Sequence, residues 1–135
     1  MKKKTSWPLL TRGETDVMRA LWRRGSATVA EIVEEYTRPI AYTTVLTVLR
    51  VLEQKGYVTH DKELVGRAHV YRPAVDEQRV QRSHLRDLLD RMFAGRPDEM
   101  VNGLIDNERL TRTDLEALRR RIDEKLAGGK RRGDD

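Results

Sequence analysis

The chain has 135 residues, 38% of them apolar and 36% charged, with a formal net charge of +5. That length supports one ordinary domain or two very small ones that share a core, and it argues against a large enzyme with a deep cleft. The absence of cysteine excludes disulfides, thiolate metal sites and cysteine catalysis.

The start, "MKKKTSWPLL", is basic, but no apolar run of signal-peptide length follows it. No stretch approaches the ~20 apolar residues of a membrane span, so no membrane association is expected and a cytoplasmic location is. Lys2, Lys3 and Lys4 suit either a phosphate-binding arm or a solvated terminus. Thr11 and Glu14 have capping-box spacing, and Val17, Met18, Leu21 and Trp22 then recur as a helical stripe until Gly25, which predicts a helix over 12–24. Thr28 and Glu31 repeat the box before Val29, Ile32, Val33 and Tyr36, predicting a second helix of about two turns that ends before Pro39. A third helix is predicted from Ala41 to Lys55, closed by Gly56.

After Gly56 the period changes from about 3.6 towards 2. "YVTH" and "AHVYRP" read as two strands of a hairpin around the loop "DKELVGR", with Pro73 closing the second strand. Helix, helix, helix, hairpin is the order of a winged helix-turn-helix. From Asp76 the pattern is helical again. Leu85, Leu88, Leu89, Met92 and Phe93 form one stripe, broken by "AGRP". Met100, Val101, Leu104 and Ile105 mark a short helix beginning near Pro97. A last helix starts at the Thr111 cap, with Asp114 in the box position and Leu115, Leu118, Ile122 and Leu126 as its stripe, before a disordered tail, "GGKRRGDD". The expected class is mainly α with a small β-hairpin: a winged domain over 1–75, a helical dimerisation domain over 76–127 and a tail over 128–135.

The third helix has an unusual polar side. Val45, Val48, Leu49 and Leu52 fill one sector, and Thr43, Thr47, Arg50 and Gln54 centre on the other, with Thr44 at the edge. β-Branched threonine lowers helix propensity, so three within five residues need a reason beyond solubility. One is capping, since Thr43 and Thr44 lie near the helix start. The other is DNA contact: hydroxyls donate to phosphates or base edges, methyls meet the thymine methyl, and Arg50 reaches phosphate or guanine. Leu46, beside this face, can make a similar apolar contact. Arg67, next to Gly66, and Lys62 flank the hairpin tip, where they can reach phosphate or the minor groove, or simply remain solvated.

Charge distribution agrees with a nucleic-acid partner for the first half. Residues 1–75 hold 13 Lys and Arg against 8 Asp and Glu, whereas residues 76–135 hold 14 against 14. In the second half, three amphipathic helices in roughly 50 residues have too little core to bury their stripes alone. A second copy is the expected partner, burying Leu85, Leu88, Leu89, Met92, Phe93, Met100, Val101, Leu104, Leu115, Leu118 and Ile122. Two-fold pairing would also place two reading helices for a double-stranded, inverted-repeat operator. The alternative is that these helices fold back over the winged domain.

The segments "LTRGETDVMRALW", "ATVAEIVEEY", "AYTTVLTVLRVLEQKGYV", "GRAHVYRP" and "LTRTDLEALRRRI" together resemble the family of penicillinase and methicillin-resistance repressors, which includes copper-responsive members. The likeness runs from about Leu10 to Leu126. It implies a homodimeric winged-helix repressor whose recognition helix is Ala41 to Lys55. By that similarity Thr43, Thr44, Leu46 and Thr47 fall where the family contacts its operator, and Arg67 falls in the wing. The chain departs from the family in two places. Copper-responsive members use a C-terminal cysteine cluster, which is missing here. The β-lactam-responsive members are inactivated by a membrane-bound sensor protease that cuts an Asn-Phe bond, and the corresponding place reads Gly103-Leu104 after Asn102.

Enzyme and metal chemistry find little support. His60 and His69 can be cross-strand neighbours and His84 lies on a helix, but no third ligand has metal spacing. No phosphate-cradling glycine motif and no nucleophile, base and orienter set is present. No cofactor, no metal and no enzymatic activity are expected. The reading is a sequence-specific dimeric repressor; the competing one is a winged protein-interaction module with incidental basic charge.

Overall fold

The computed structural model describes residues 6–65, 68–107 and 109–132, with the backbone alone at 62–65 and 129–132. The chain divides into two compact units, one ending at Arg86 and the other beginning at Asp87.

In the first unit, both predicted capping boxes form. Thr11 Oγ1 accepts from the Glu14 amide at 3.2 Å while Glu14 Oε1 accepts from the Thr11 amide at 2.8 Å, and α1 runs Arg12–Arg24. Gly25, at φ 84°, ends it by donating to the Leu21 carbonyl at 2.7 Å, a left-handed turn that a side chain would strain. The Thr28 and Glu31 box opens α2, Val29–Glu35. α3 spans Tyr42–Gln54, has no side-chain cap and is followed by Gly56 at φ 85°.

The hairpin differs from the sequence expectation. β1 runs Val58–Val65 and pairs antiparallel with β2, Ala68–Pro73, so the strand passes through most of the segment that reads as a loop. Continuing the ladder satisfies backbone groups that a longer loop would leave to water. The register pairs His60 with Tyr71 and, after an irregularity, Leu64 with His69. His60 and His69 are therefore not directly opposed. A further isolated bridge joins Ala27 to Tyr71 and ties the link between α1 and α2 to the hairpin.

These elements close around Val17, Met18, Leu21, Ile32, Val45, Leu49, Leu52 and Tyr57, all fully buried. Each large side chain among them contributes about 1.5–3 kcal/mol by leaving water. The core continues beyond Val75. Val75, Val80 and Ser83 are buried, and Trp22 Nε1 donates to the Val75 carbonyl at 2.8 Å. The winged unit thus takes in the first part of α4, Glu77–Met92, whereas the sequence pattern changes at Val75.

In the second unit, α4 ends in a tight turn with Ala94 at φ 50° and Gly95 at φ 75°. α5, Pro97–Ile105, starts with proline in its first turn and buries no residue. α6, Arg112–Arg132, opens on a box between Thr111 and Asp114. Although the sequence ends this helix at the glycine pair, α6 passes through it: each glycine costs about 1 kcal/mol relative to alanine, but an established helix gains one hydrogen bond per added residue. No described residue of α6 is buried.

Candidate nucleic-acid interface

The 3.6-residue period of α3 separates its two faces cleanly. Val45, Leu49 and Leu52 point into the core, and Thr43, Thr44, Thr47, Arg50 and Gln54 are exposed. Leu46 is half-buried against the core, as is Val48. The Thr47 hydroxyl donates to the Thr43 carbonyl at 2.9 Å. Its proton is thus committed within the helix, and what it presents outward is a methyl group and an accepting lone pair rather than the donor expected from composition. Three arginines of the unit are tied down: Arg23 and Arg24 to Glu35 and Glu31, and Arg72 to Asp61 at 3.0 Å. Among the described residues Arg50 has no such ion pair.

A groove runs between α3 and the hairpin, with Tyr42, Leu46, Arg50 and Glu53 on the helix side and His60 and His69 on the strand side. The Glu53 carboxylate lies 2.9 and 3.0 Å from His60 Nδ1. The two imidazoles meet edge to face with centroids 4.9 Å apart, and the Tyr71 ring lies 5.6 Å from His60. His69 Nδ1 is 3.2 Å from the Asp61 carbonyl, and hydrogen bonding from Arg72 holds the Asp61 carboxyl below its ordinary range. These contacts fix the base of the wing against the helix. No group of three or more His, Asp or Glu has metal-holding geometry among the described residues.

Tyr42 is the residue that sequence reasoning missed. It is half-exposed at the first position of α3, and Tyr42, Leu46, Arg50 and Glu53 recur at helical spacing. That second stripe was available in the sequence, between the apolar and threonine sectors. Arg67 and Lys2, Lys3 and Lys4 lie outside the described residues, as does the side chain of Lys62, whose backbone belongs to β1.

Of the residues expected at a dimer interface, Leu85, Leu88, Met92, Val101, Leu104, Leu115, Leu118 and Ile122 are exposed, Met92 by 70%, and Leu89, Phe93 and Met100 are half-buried. Ile105 and Leu126 are also exposed. Among the described residues no helix is long and apolar enough to cross a membrane.

Residues 10–124 match the family model described as Penicillinase repressor. The chain is 28% identical over 119 residues to the penicillinase repressor of Bacillus licheniformis, covering 87% of this chain and 91% of that protein. It is 22% identical over 118 residues to the methicillin resistance regulatory protein MecI of Mammaliicoccus sciuri, covering 86% and 94%. Among solved structures, the Bacillus licheniformis BlaI monomeric form in complex with the blaP half-operator is 34% identical, covering 53% of this chain and 88% of that one, with a TM-score of 0.45.

Proposed function

Since the chain belongs to the penicillinase repressor family, we propose that it acts as a homodimeric, sequence-specific transcriptional repressor that occludes a promoter by binding an inverted-repeat operator. The observation that carries this reading is the exposed face of α3: Thr43, Thr44, Thr47 and Arg50 are kept clear of a core that swallows Val45, Leu49 and Leu52 on the opposite side. A helix so divided can enter a major groove without unfolding any of its own packing.

Each exposed group has a distinct use there. Thr43 and Thr44 offer hydroxyls near the helix N-terminus to phosphates or base edges, Thr47 offers a methyl to thymine, and Arg50 offers a planar donor to guanine or phosphate. Leu46 and Tyr42 line the side facing the hairpin and add apolar contact. Lys62 and Arg67 supply sequence-independent attraction from the wing. The unburied stripes of α4, α5 and α6 pair with those of a second copy, which delivers two reading helices to two half-sites. The sequence contains no Asn-Phe pair, so a sensor protease that cuts such a bond has no target in α5, where Asn102 precedes Gly103.

A salt-titrated band shift on random duplex and on palindromes selected from a random pool tests the proposal. Expected is preferential binding to the selected palindrome, weakening as salt rises, with Arg67→Ala removing about one counterion from the slope on both DNAs. Equal, weak binding to both would leave the winged unit as a protein-docking module instead.

A further inference from the structure

Residues 7–10 belong to no helix or strand, yet their backbone is bonded to distant parts of the chain in two directions. The Trp7 amide donates to Ser83 Oγ at 2.9 Å and the Leu10 amide to His84 Nε2 at 3.1 Å, both on α4. The carbonyls between them turn the other way: Pro8 accepts from the Tyr57 hydroxyl and Leu9 from Lys55 Nζ at 3.4 Å, at the C-terminal end of α3. The Trp7 ring packs on Tyr57 with centroids 5.1 Å apart. Lys55 is held in turn by buried Glu14, at 2.8 and 3.0 Å from its two oxygens.

From this geometry we infer that residues 7–10 are a strap that fixes the direction of α4 against the end of the reading helix, and so sets the spacing at which a dimer reads its two half-sites. The inference rests on the functional reading above. Ser83 and His84 lie one turn past Val80 and just before Arg86, where the winged unit ends, while α4 continues unbroken to Met92. Beyond Ser83 no residue of α4 is buried, so the strap holds this helix where its buried part ends. Leverage makes the grip matter. From Ser83 to Met92 is about 14 Å of helix, and a tilt of about 15° moves its end by about 3.5 Å, close to one base-pair step. Ser83 and His84 are thus positioning residues that act through the strap.

The test uses the full chain, a palindrome selected by the wild type from a random duplex pool, its isolated half-site, and palindromes with one or two base pairs inserted at the centre. Ser83→Ala/His84→Ala should keep half-site affinity within about twofold, lose about tenfold on the parent palindrome and show a flattened penalty for inserted base pairs. His84→Gln, whose amide oxygen can accept from the Leu10 amide, should keep the wild-type spacing profile. If the double variant unfolds at the assay temperature, His84→Ala alone carries the same comparison. An unchanged spacing profile overturns the inference, and so does an equal loss on half-site and palindrome, which would make the strap a support of the winged fold only. A wild-type chain that enriches no palindrome overturns the functional reading and the strap's role together.

Discussion

Ile32 on α2 and Ile122 on α6 are the same side chain at the same kind of helical position, yet the first is wholly buried and the second is 54% exposed. The difference lies in what each unit can place opposite an amphipathic helix. Up to Arg86, three helices meet at their apolar faces and a hairpin, tied to them through Ala27 and Tyr71, closes the remaining side. From Asp87 onward there are helices alone, and α5 buries nothing. The winged unit therefore carries its own stability, whereas the second unit has the patterning of a folded domain without the area to complete it. Its exposed apolar stripes are the surface that the proposed second copy would cover.

The largest test of that contrast is a pair of alanines. Leu49→Ala, in the closed core, should cost about 2–5 kcal/mol in denaturant unfolding, while Ile122→Ala should change the unfolding of a dilute sample by no more than about 0.5 kcal/mol. Similar losses from both would mean that the second unit is already closed in the monomer. Next in size, Leu118→Asp should abolish self-association in sedimentation experiments and lower affinity for a palindrome by tenfold or more while sparing a half-site. A wild type that stays monomeric at tens of micromolar would break the comparison outright.

Within the winged unit, Glu14→Gln leaves Lys55 without its carboxylate and should cost about 1–2 kcal/mol at neutral pH. Burial pushes the Glu14 carboxyl up, but the Lys55 ammonium and the Thr11 amide and hydroxyl together outweigh it and hold the group below its ordinary 4.5. Its contribution is complete above about that value and is lost as pH falls through the lower folded one. The gap between wild type and variant should therefore be constant near neutrality and narrow in acid; a gap that widens in acid would refute the assignment. The smallest effects concern α3. Thr47→Val keeps the outward methyl and removes the hydroxyl bonded to Thr43, so base discrimination should persist; Thr47→Ser keeps the hydroxyl and should relax it by on the order of 1 kcal/mol. Parallel losses would assign recognition to the hydroxyl.

Helix starts were legible because a capping box is local: Thr11 with Glu14, Thr28 with Glu31 and Thr111 with Asp114 each satisfy their amides within four residues. The two-faced character of α3 was legible for the same reason, since a 3.6-residue period converts sequence spacing directly into direction. The groove stripe from Tyr42 to Glu53 was equally available, but its meaning depended on where the hairpin would lie.

What the sequence by itself determined is therefore the set of helices, their caps and which side of each is apolar, because those follow from interactions spanning three or four residues. Tertiary structure alone decided how far β1 extends, that Glu14 serves both a helix cap and Lys55, that the winged unit keeps α4 as far as Arg86, and that Trp7 to Leu10 bridge α3 and α4. Those contacts join residues tens of positions apart, and their partners are chosen by packing geometry, which no local period or motif encodes.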